Sequence, residues 1–136
     1  MLASELQGLV DSSPVHRGLR LTVVTADEAG LAFEAAPGEE HAGADGGQFL
    51  HGGAVSALLD TAATFALINA TGTDWSTVDL RVDFVRPAPV GALLVRGTVV
   101  QAGKRLGRAA AELSDAASGR LLASCAGTFV RTGAQP

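Results

Sequence analysis

His51-Gly52-Gly53-Ala54-Val55-Ser56-Ala57-Leu58-Leu59-Asp60-Thr61-Ala62-Ala63-Thr64-Phe65-Ala66-Leu67-Ile68-Asn69-Ala70 is the stretch whose reading decides the fold. Its pattern predicts a helix over about 53–69, bounded by glycine at both ends because Gly72 stops it. The apolar content is too high for a solvent-exposed helix, so something must bury it. Asp60 is the only charged residue in the run. A carboxylate among Val55, Leu58, Leu59, Ala62, Phe65 and Leu67 risks a desolvation penalty unless partners are supplied, and chains tolerate such a group mainly where chemistry needs it. Gly53, Ser56, Asp60 and Thr64 recur every three or four positions, which draws a narrow stripe of small and polar residues along one side. The opposite side reads as entirely apolar.

Working outward, residues 3–10 read as a short helix that packs on a sheet edge, and Ser12-Ser13-Pro14 breaks it. Two strands are expected at about 19–25 and 30–36, joined by the turn Asp27-Glu28-Ala29-Gly30 into a hairpin. Residues 37–50 are rich in Gly, Glu and Asp and suit a mobile loop leading to His51. Four more strands follow at about 76–85, 93–101, 105–114 and 121–130, and residues 132–136 read as a frayed tail. In the first of them, alternation assigns Val78, Leu80, Val82 and Phe84 to the core and Thr77, Asp79, Arg81 and Asp83 to the other face. One apolar helix followed by four hairpin-linked strands implies an α+β fold, an antiparallel sheet wrapped around that helix.

The chain of 136 residues fits one domain, and its 47% hydrophobic content argues against disorder. No uninterrupted apolar run approaches the roughly 18–20 residues that span a bilayer, so no membrane partner is expected. The first ten residues carry Glu5 and no basic residue, which is unlike a signal peptide, and a cytoplasmic location is the simplest expectation. A net charge of −4 gives no general attraction to nucleic acid. The lone Cys125 sits in an alternating strand and reads as a small buried side chain. His16, His41 and His51 show no metal-ligand spacing, and no metal is expected.

Gly52 and Gly53 let a ligand approach backbone N–H groups at the positive end of the helix dipole, either as an oxyanion site that polarises a carbonyl or simply as a tight turn. Asp60 can attack a carbonyl carbon, activate water as a general base, or serve structurally by bonding a neighbouring subunit or a backbone N–H. Ser56 lies outside a GxSxG elbow, so a serine-hydrolase arrangement lacks its local context. Arg81, Arg86, Lys104, Arg105 and Arg108 form a late basic set, suited to the phosphates of a nucleotide-bearing ligand or to a solvated surface.

With these residues in view, the chain resembles the hotdog-fold acyl-CoA thioesterases, in particular the phenylacetic-acid-degradation (PaaI-like) type. The resemblance covers nearly the whole chain. It rests on Leu50-His51-Gly52-Gly53, on Asp60 nine residues after His51, on the segments Val78-Asp79-Leu80 and Val85-Arg86-Pro87, and on Gly119-Arg120-Leu121-Leu122-Ala123 with Gly127-Thr128-Phe129. It implies a curved sheet around a central helix and hydrolysis of an acyl-CoA thioester at a site shared between two subunits, in a homodimer or a dimer of dimers. By resemblance Asp60 is the nucleophile or the base for water, the Gly52 N–H polarises the thioester carbonyl, His51 shapes that loop, and Thr77 orients water or the carboxylate. Gly53, Thr64, Arg86, Lys104 and Arg105 fall among substrate-binding positions. No metal or bound cofactor is implied, CoA being part of the substrate.

One departure stands out. Six residues before His51, where the family generally carries Asn or Gln, this chain has Asp45, an acceptor unless protonated. Either Gln48 takes over as the amide donor, or Asp45 acts as a second acid or base, or part of the activity is lost; a second carboxylate near Asp60 would shift the pH optimum upward. The acyl group is expected to be aryl or medium-chain, with Trp75 and Phe49 available for stacking if they flank the site. The alternative function is a non-catalytic acyl-CoA binder that uses Asp60 structurally. The His-Phe-Pro-Gly segment of hotdog hydratases is absent, since His51 leads into Gly-Gly.

Overall fold

The computed structural model describes residues 1–133. Helix α1 (Ala3–Asp11) is followed by α2 (Pro14–Leu19), strands β1 (Thr22–Ala26) and β2 (Gly30–Ala35), a 3-10 turn at Glu39–His41, the long helix α3 (Gly52–Thr71), and strands β3 (Trp75–Phe84), β4 (Leu93–Ala102), β5 (Leu106–Asp115) and β6 (Leu121–Arg131). The six strands make one antiparallel sheet in the order β1-β2-β4-β5-β6-β3. The sheet curls around α3, and this is the expected α+β hotdog arrangement. Among the described residues α3 is long and apolar enough to cross a membrane, a length the sequence reading did not credit, yet its apolar faces pack on the strands of its own chain.

Close backbone approach holds the helix to the sheet. A Cβ placed on Gly97 of β4 would run into the Ala62 carbonyl of α3, so the strand needs glycine there and the helix rests on bare backbone. Around that contact Phe33, Leu58, Leu59, Leu67, Leu93, Leu113 and Phe129 are fully buried. Gly72, in the left-handed conformation at φ 70°, ends the helix with its N–H on the Ile68 carbonyl, as expected of a glycine stop. Helix α1 does pack on a sheet edge. Gln7 uses its side-chain amide as a short extra strand, donating to the Leu21 carbonyl at 2.9 Å and accepting from the Val23 N–H at 2.7 Å, which satisfies edge groups of β1.

Several expectations are corrected. Ser13-Pro14 does not only end α1, because proline at the first helical position fixes φ for a new helix, and α2 closes on Arg20 at φ 54°. Strand β1 therefore starts at Thr22 rather than near residue 19. The far side of α3 is not wholly apolar: Thr61 and Asn69 are buried there, Thr61 donating to the Ala57 carbonyl and Asn69 Nδ2 to the Asp27 carbonyl. Residues 37–50 carry a 3-10 turn and are tied down by bridges Ala42–Leu50 and Phe49–Pro89. Of the expected frayed tail, Thr132 and Gly133 both donate to the Asp74 carbonyl, and the rest lies outside the described residues.

The alternation read for β3 also fails in part. The ladder with β6 pairs Thr77 with Phe129 and Asp79 with Thr128, leaving Val78 as the extra residue of a bulge. The inward phase therefore runs Trp75 and Thr77 before the bulge and Leu80 and Val82 after it, while Val78 and Phe84 are more than half exposed.

Gly97→Ala should lower the unfolding free energy by at least about 3 kcal/mol in urea denaturation, because the new methyl meets helix backbone that cannot step aside. Gly8→Ala, in α1 with open space around its Cβ position, should raise it by about 0.5–1 kcal/mol.

Candidate active site

His51 is the N-cap of α3, and its Nδ1 accepts the Gly53 N–H at 2.8 Å. That bond makes Nδ1 the acceptor nitrogen of the ring. The His51 carbonyl accepts from Ala54 and Val55, so the cap engages three successive amides. The Gly52 N–H, first of the helix, belongs to an exposed residue and has no acceptor among the described residues. The Phe84 ring lies against Gly52, 3.5 Å from where its Cβ would be. Between the two glycines, then, the capping geometry selects Gly52 as the free donor and engages Gly53 in the cap.

Two turns on, Asp60 is half-buried rather than enclosed. Thr77 Oγ1 donates to Asp60 Oδ1 at 2.6 Å, supplying the partner that the sequence demanded and leaving Oδ2 open. The bulge at Val78 is what turns Thr77 toward the helix; without it the alternation would send this hydroxyl to the opposite face. The stripe is accessible: Gly53 is exposed and Ser56, Asp60 and Thr64 are partly exposed, as are the small neighbours Ala54 and Ala57, while the helix faces beside them are buried. Ser56 Oγ donates to the Gly52 carbonyl and Thr64 Oγ1 to the Asp60 carbonyl, so both hydroxyls are spent on the helix backbone rather than on the carboxylate.

The remaining expected residues fall in separate places. Asp45 and Gln48 are exposed on the loop before His51, their side chains making no hydrogen bond among the described residues; the backbone of that loop runs beside the segment after β3, with Val90 N–H on the Gln48 carbonyl and Leu50 N–H on the Ala88 carbonyl. Arg86 lies at the Gly52 end and donates to the Leu121 carbonyl. Lys104 and Arg105 occupy the β4–β5 turn beside Arg131 and Trp75, at the C-terminal end of a helix about 30 Å long. One chain therefore cannot bring Arg86 and the Lys104–Arg105 pair to one ligand phosphate. Arg81 and Arg108 share a hollow on the outer sheet face, where Arg81 pairs with Asp83 at 3.5 Å. Trp75 is buried under the Arg131 guanidinium with its Nε1 on Thr71, which removes it as a pocket wall, whereas Phe49 is 52% exposed.

Two contributors escaped the sequence reading: Phe84 against Gly52, and Arg120, which shares a groove with Arg86. Phase was the available signal for β3, since Trp75 and Leu80 are both apolar yet an odd number of residues apart, as a bulge requires.

Cys125 is buried as expected, its thiol directed at the Leu59 carbonyl. Burial pushes this thiol up to about 11, and the Asp60 charge nearby pushes the same way.

Comparison with known proteins matches residues 47–122 to the family described as the thioesterase superfamily. The chain belongs to the thioesterase superfamily. Human acyl-coenzyme A thioesterase 13 is 31% identical over 106 residues, covering 76% of this chain and 74% of that protein. Among solved structures, thioesterase superfamily member 2 from Mus musculus superposes with a TM-score of 0.83 at 25% identity, covering 96% of this chain and 97% of the other. The E. coli PaaI protein of the phenylacetic acid degradation operon shares the fold, with a TM-score of 0.84 at 21% identity and 99% coverage of both chains. The resemblance read from the motifs is thereby borne out, and the chain is a thioester hydrolase by family, with acyl-CoA thioesters as the family-level substrates.

The Cys125 shift gives a pH-dependent outcome. The folded thiol holds its proton above the ordinary value of 9.0, so its contribution to stability is complete below pH 9 and is lost as pH rises toward about 11. Wild type should lose stability across that window relative to Cys125→Ala when both are unfolded in urea, and a thiol-reactive dye at pH 8 should label wild type only after denaturation.

Proposed function

We propose that the protein is a cytoplasmic acyl-CoA thioesterase acting as a homodimer or a dimer of dimers, in which Asp60 of one subunit and the Gly52 N–H of the other address the same thioester. The observation that carries this is a separation within α3. Gly52 and Asp60 stand eight residues apart, about 12 Å along the helix axis, whereas a donor on a carbonyl oxygen and a carboxylate at its carbon must stand within about 7 Å of each other. Both groups are open, yet one chain cannot bring them to one carbonyl.

Strand β3 supports the pairing. It is an edge strand ten residues long, and Val78, Phe84 and Val85 at it are about half exposed or more. Two such edges joined by a two-fold axis would run antiparallel, and each helix N-terminus would then approach the open carboxylate of the partner's helix. The Lys104–Arg105 turn of one subunit would come toward the Gly52 end of the other, which accounts for basic residues at both ends of α3.

In the reaction so assembled, the Gly52 N–H takes up charge developing on the thioester oxygen. Asp60 Oδ2 either attacks the carbonyl carbon, breaking the C–S bond to release CoA thiolate and leaving a mixed anhydride that water then hydrolyses, or removes a proton from a water whose oxygen attacks the carbon as the C–S bond breaks, the proton passing to the departing thiolate. Thr77 holds Oδ1 and fixes the direction of the other oxygen. His51 contributes through the cap that leaves Gly52 free. Hydrolysis on this reading needs no metal or bound cofactor, and aryl and medium-chain acyl groups are the candidate substrates.

Thiol release from a panel of aryl- and alkyl-CoA thioesters tests the reading. Asp60→Asn should lower kcat at least about a hundredfold with the oligomer intact by size exclusion. Gly52→Pro removes the N–H while keeping the helix start, since proline suits the first helical position and His51 already has ψ 140°, although its ring also packs against Phe84. Neither variant should turn over alone. Chains of the two, unfolded together and refolded as an equal mixture, should recover about a quarter of wild-type activity, half the dimers carrying one intact site of two. Zero recovery with mixed dimers present would sink the shared site, and CoA binding without turnover by wild type would favour a non-catalytic binder.

Asp45→Asn restores the amide usual at that position. If Asp45 stands near the partner's Asp60, the acidic limb of the kcat/KM profile should move to lower pH in this variant; superimposable profiles would remove Asp45 from the site.

A further inference from the structure

The loop before His51 folds back on itself. The bridge Ala42–Leu50 and the Gly43 N–H on the Phe49 carbonyl close the base of a small hairpin. At its tip the Gly47 N–H donates to the Ala44 carbonyl at 2.9 Å, which makes residues 44–47 a β-turn with Asp45 and Gly46 at its centre. Gly46 stands at φ 68° while Asp45 keeps a negative φ, the type II pattern that calls for glycine in the third place. The Gly46 N–H takes no part in the turn bond and donates to nothing among the described residues. Both residues are exposed, and a Cβ added at Gly46 would meet nothing within 4 Å, so the space around the pair is open. An uncommitted carboxyl group therefore stands one residue before an unbonded, unshielded amide.

We propose that Asp45–Gly46 is a self-modification site, at which the folded chain converts through a cyclic imide to isoaspartate. The Gly46 nitrogen gives its proton to solvent and attacks Asp45 Cγ. A C–N bond forms, the Cγ–OH bond breaks and water leaves, which closes a five-membered succinimide. Water then adds to the Asp45 backbone carbonyl carbon, the bond from that carbon to the Gly46 nitrogen breaks, and the nitrogen recovers a proton. The chain now runs through Cβ and Cγ and carries a free α-carboxylate. One water leaves and one returns, so no oxidant, reductant or cofactor takes part.

The surroundings single out this aspartate. No other in the chain precedes glycine, whose missing side chain leaves the attacking nitrogen open and the turn free to rotate toward ring closure. The Asp27 and Asp115 carboxylates hold N–H groups of their own turns, and Asp60 and Asp79 accept from the Thr77 hydroxyl and the Thr128 N–H. Asp11 accepts from Gln7, while Asp74 and Asp83 precede the bulky Trp75 and Phe84. The product lengthens the turn backbone by one atom, which breaks the Gly47–Ala44 bond at the tip and leaves the base of the hairpin closed. Only the loop and water are used, so the conversion owes nothing to turnover of a thioester.

Ageing of the purified, folded protein for several weeks in warm, mildly acidic buffer tests this. Peptide mass mapping should find the peptide holding Asp45 first lighter by one water, then back at its original mass but resistant to an aspartate-specific protease at that residue. Methyl transfer from S-adenosylmethionine by an isoaspartyl methyltransferase should label this peptide at least about tenfold above any other. Asp45→Glu, whose imide ring would need six members, should lose that label by at least about tenfold with an unchanged circular dichroism spectrum. Asp45→Asn should reach the same imide faster, by loss of ammonia. Label spread evenly over the other aspartates, or equal labelling of Asp45→Glu, would overturn the proposal. So would label at Asp45 that is absent from the folded protein and arises only on ageing in urea, because the turn would then protect the bond.

Discussion

Strand β4 lies against helix α3 with only the hydrogen of Gly97 between it and the Ala62 carbonyl, and the rest of the molecule is arranged around that contact. It fixes the rotation of the helix. At about 100° per residue, Asp60 points some 160° away from the face on which Ala62 meets the strand. The carboxylate is thereby directed off the centre of the sheet, and it meets Thr77 on β3 only because the sheet curls around to reach it. A larger residue at 97 would lift the helix and open the Thr77–Asp60 distance together with the core. Packing and chemistry here share one constraint.

Much of this architecture was legible in sequence because its signals are local. Gly72 marks a helix end that no side chain has to define, and the strands after it carry turn residues at regular spacing. What escaped was set by competition between local rules. Pro14 both forbids continuing α1 and favours starting another helix, and the short run that follows has too little periodicity to decide between them. The Val78 bulge is similar: strict alternation fits Val78, Leu80, Val82 and Phe84 well, and only pairing with β6 shows that one residue is extra. Register is a property of two strands, and one strand's pattern does not contain it.

The same distinction runs through the candidate site. Asp60 stood out as a lone charge in an apolar helix, and Gly52-Gly53 as a helix start open to ligand. The choice between the two glycines depends on the His51 ring, whose Nδ1 takes the Gly53 N–H and so leaves the Gly52 N–H without a partner. Thr77 was assigned a role by family pattern and the wrong face by alternation, and the bulge reconciles the two. The basic residues were visible as a set, but their division among the Gly52 end, the outer face and the β4–β5 turn is a matter of topology.

Cys125 illustrates how burial sets the charge around the group beside it. The thiol sits close enough to feel the Asp60 charge, and an ionised sulfur there would be a second anion. Desolvation keeps it protonated, and the Leu59 carbonyl gives it an acceptor. Asp60 is then the only negative side chain on the open stripe of α3, flanked by Ser56 and Thr64 hydroxyls already committed to the helix backbone. With its neighbours neutral or engaged and one oxygen held by Thr77, the carboxylate has a single free oxygen and a single open direction. The fold thus leaves one carboxylate oxygen uncommitted on a helix whose other polar side chains along that stripe are already bonded.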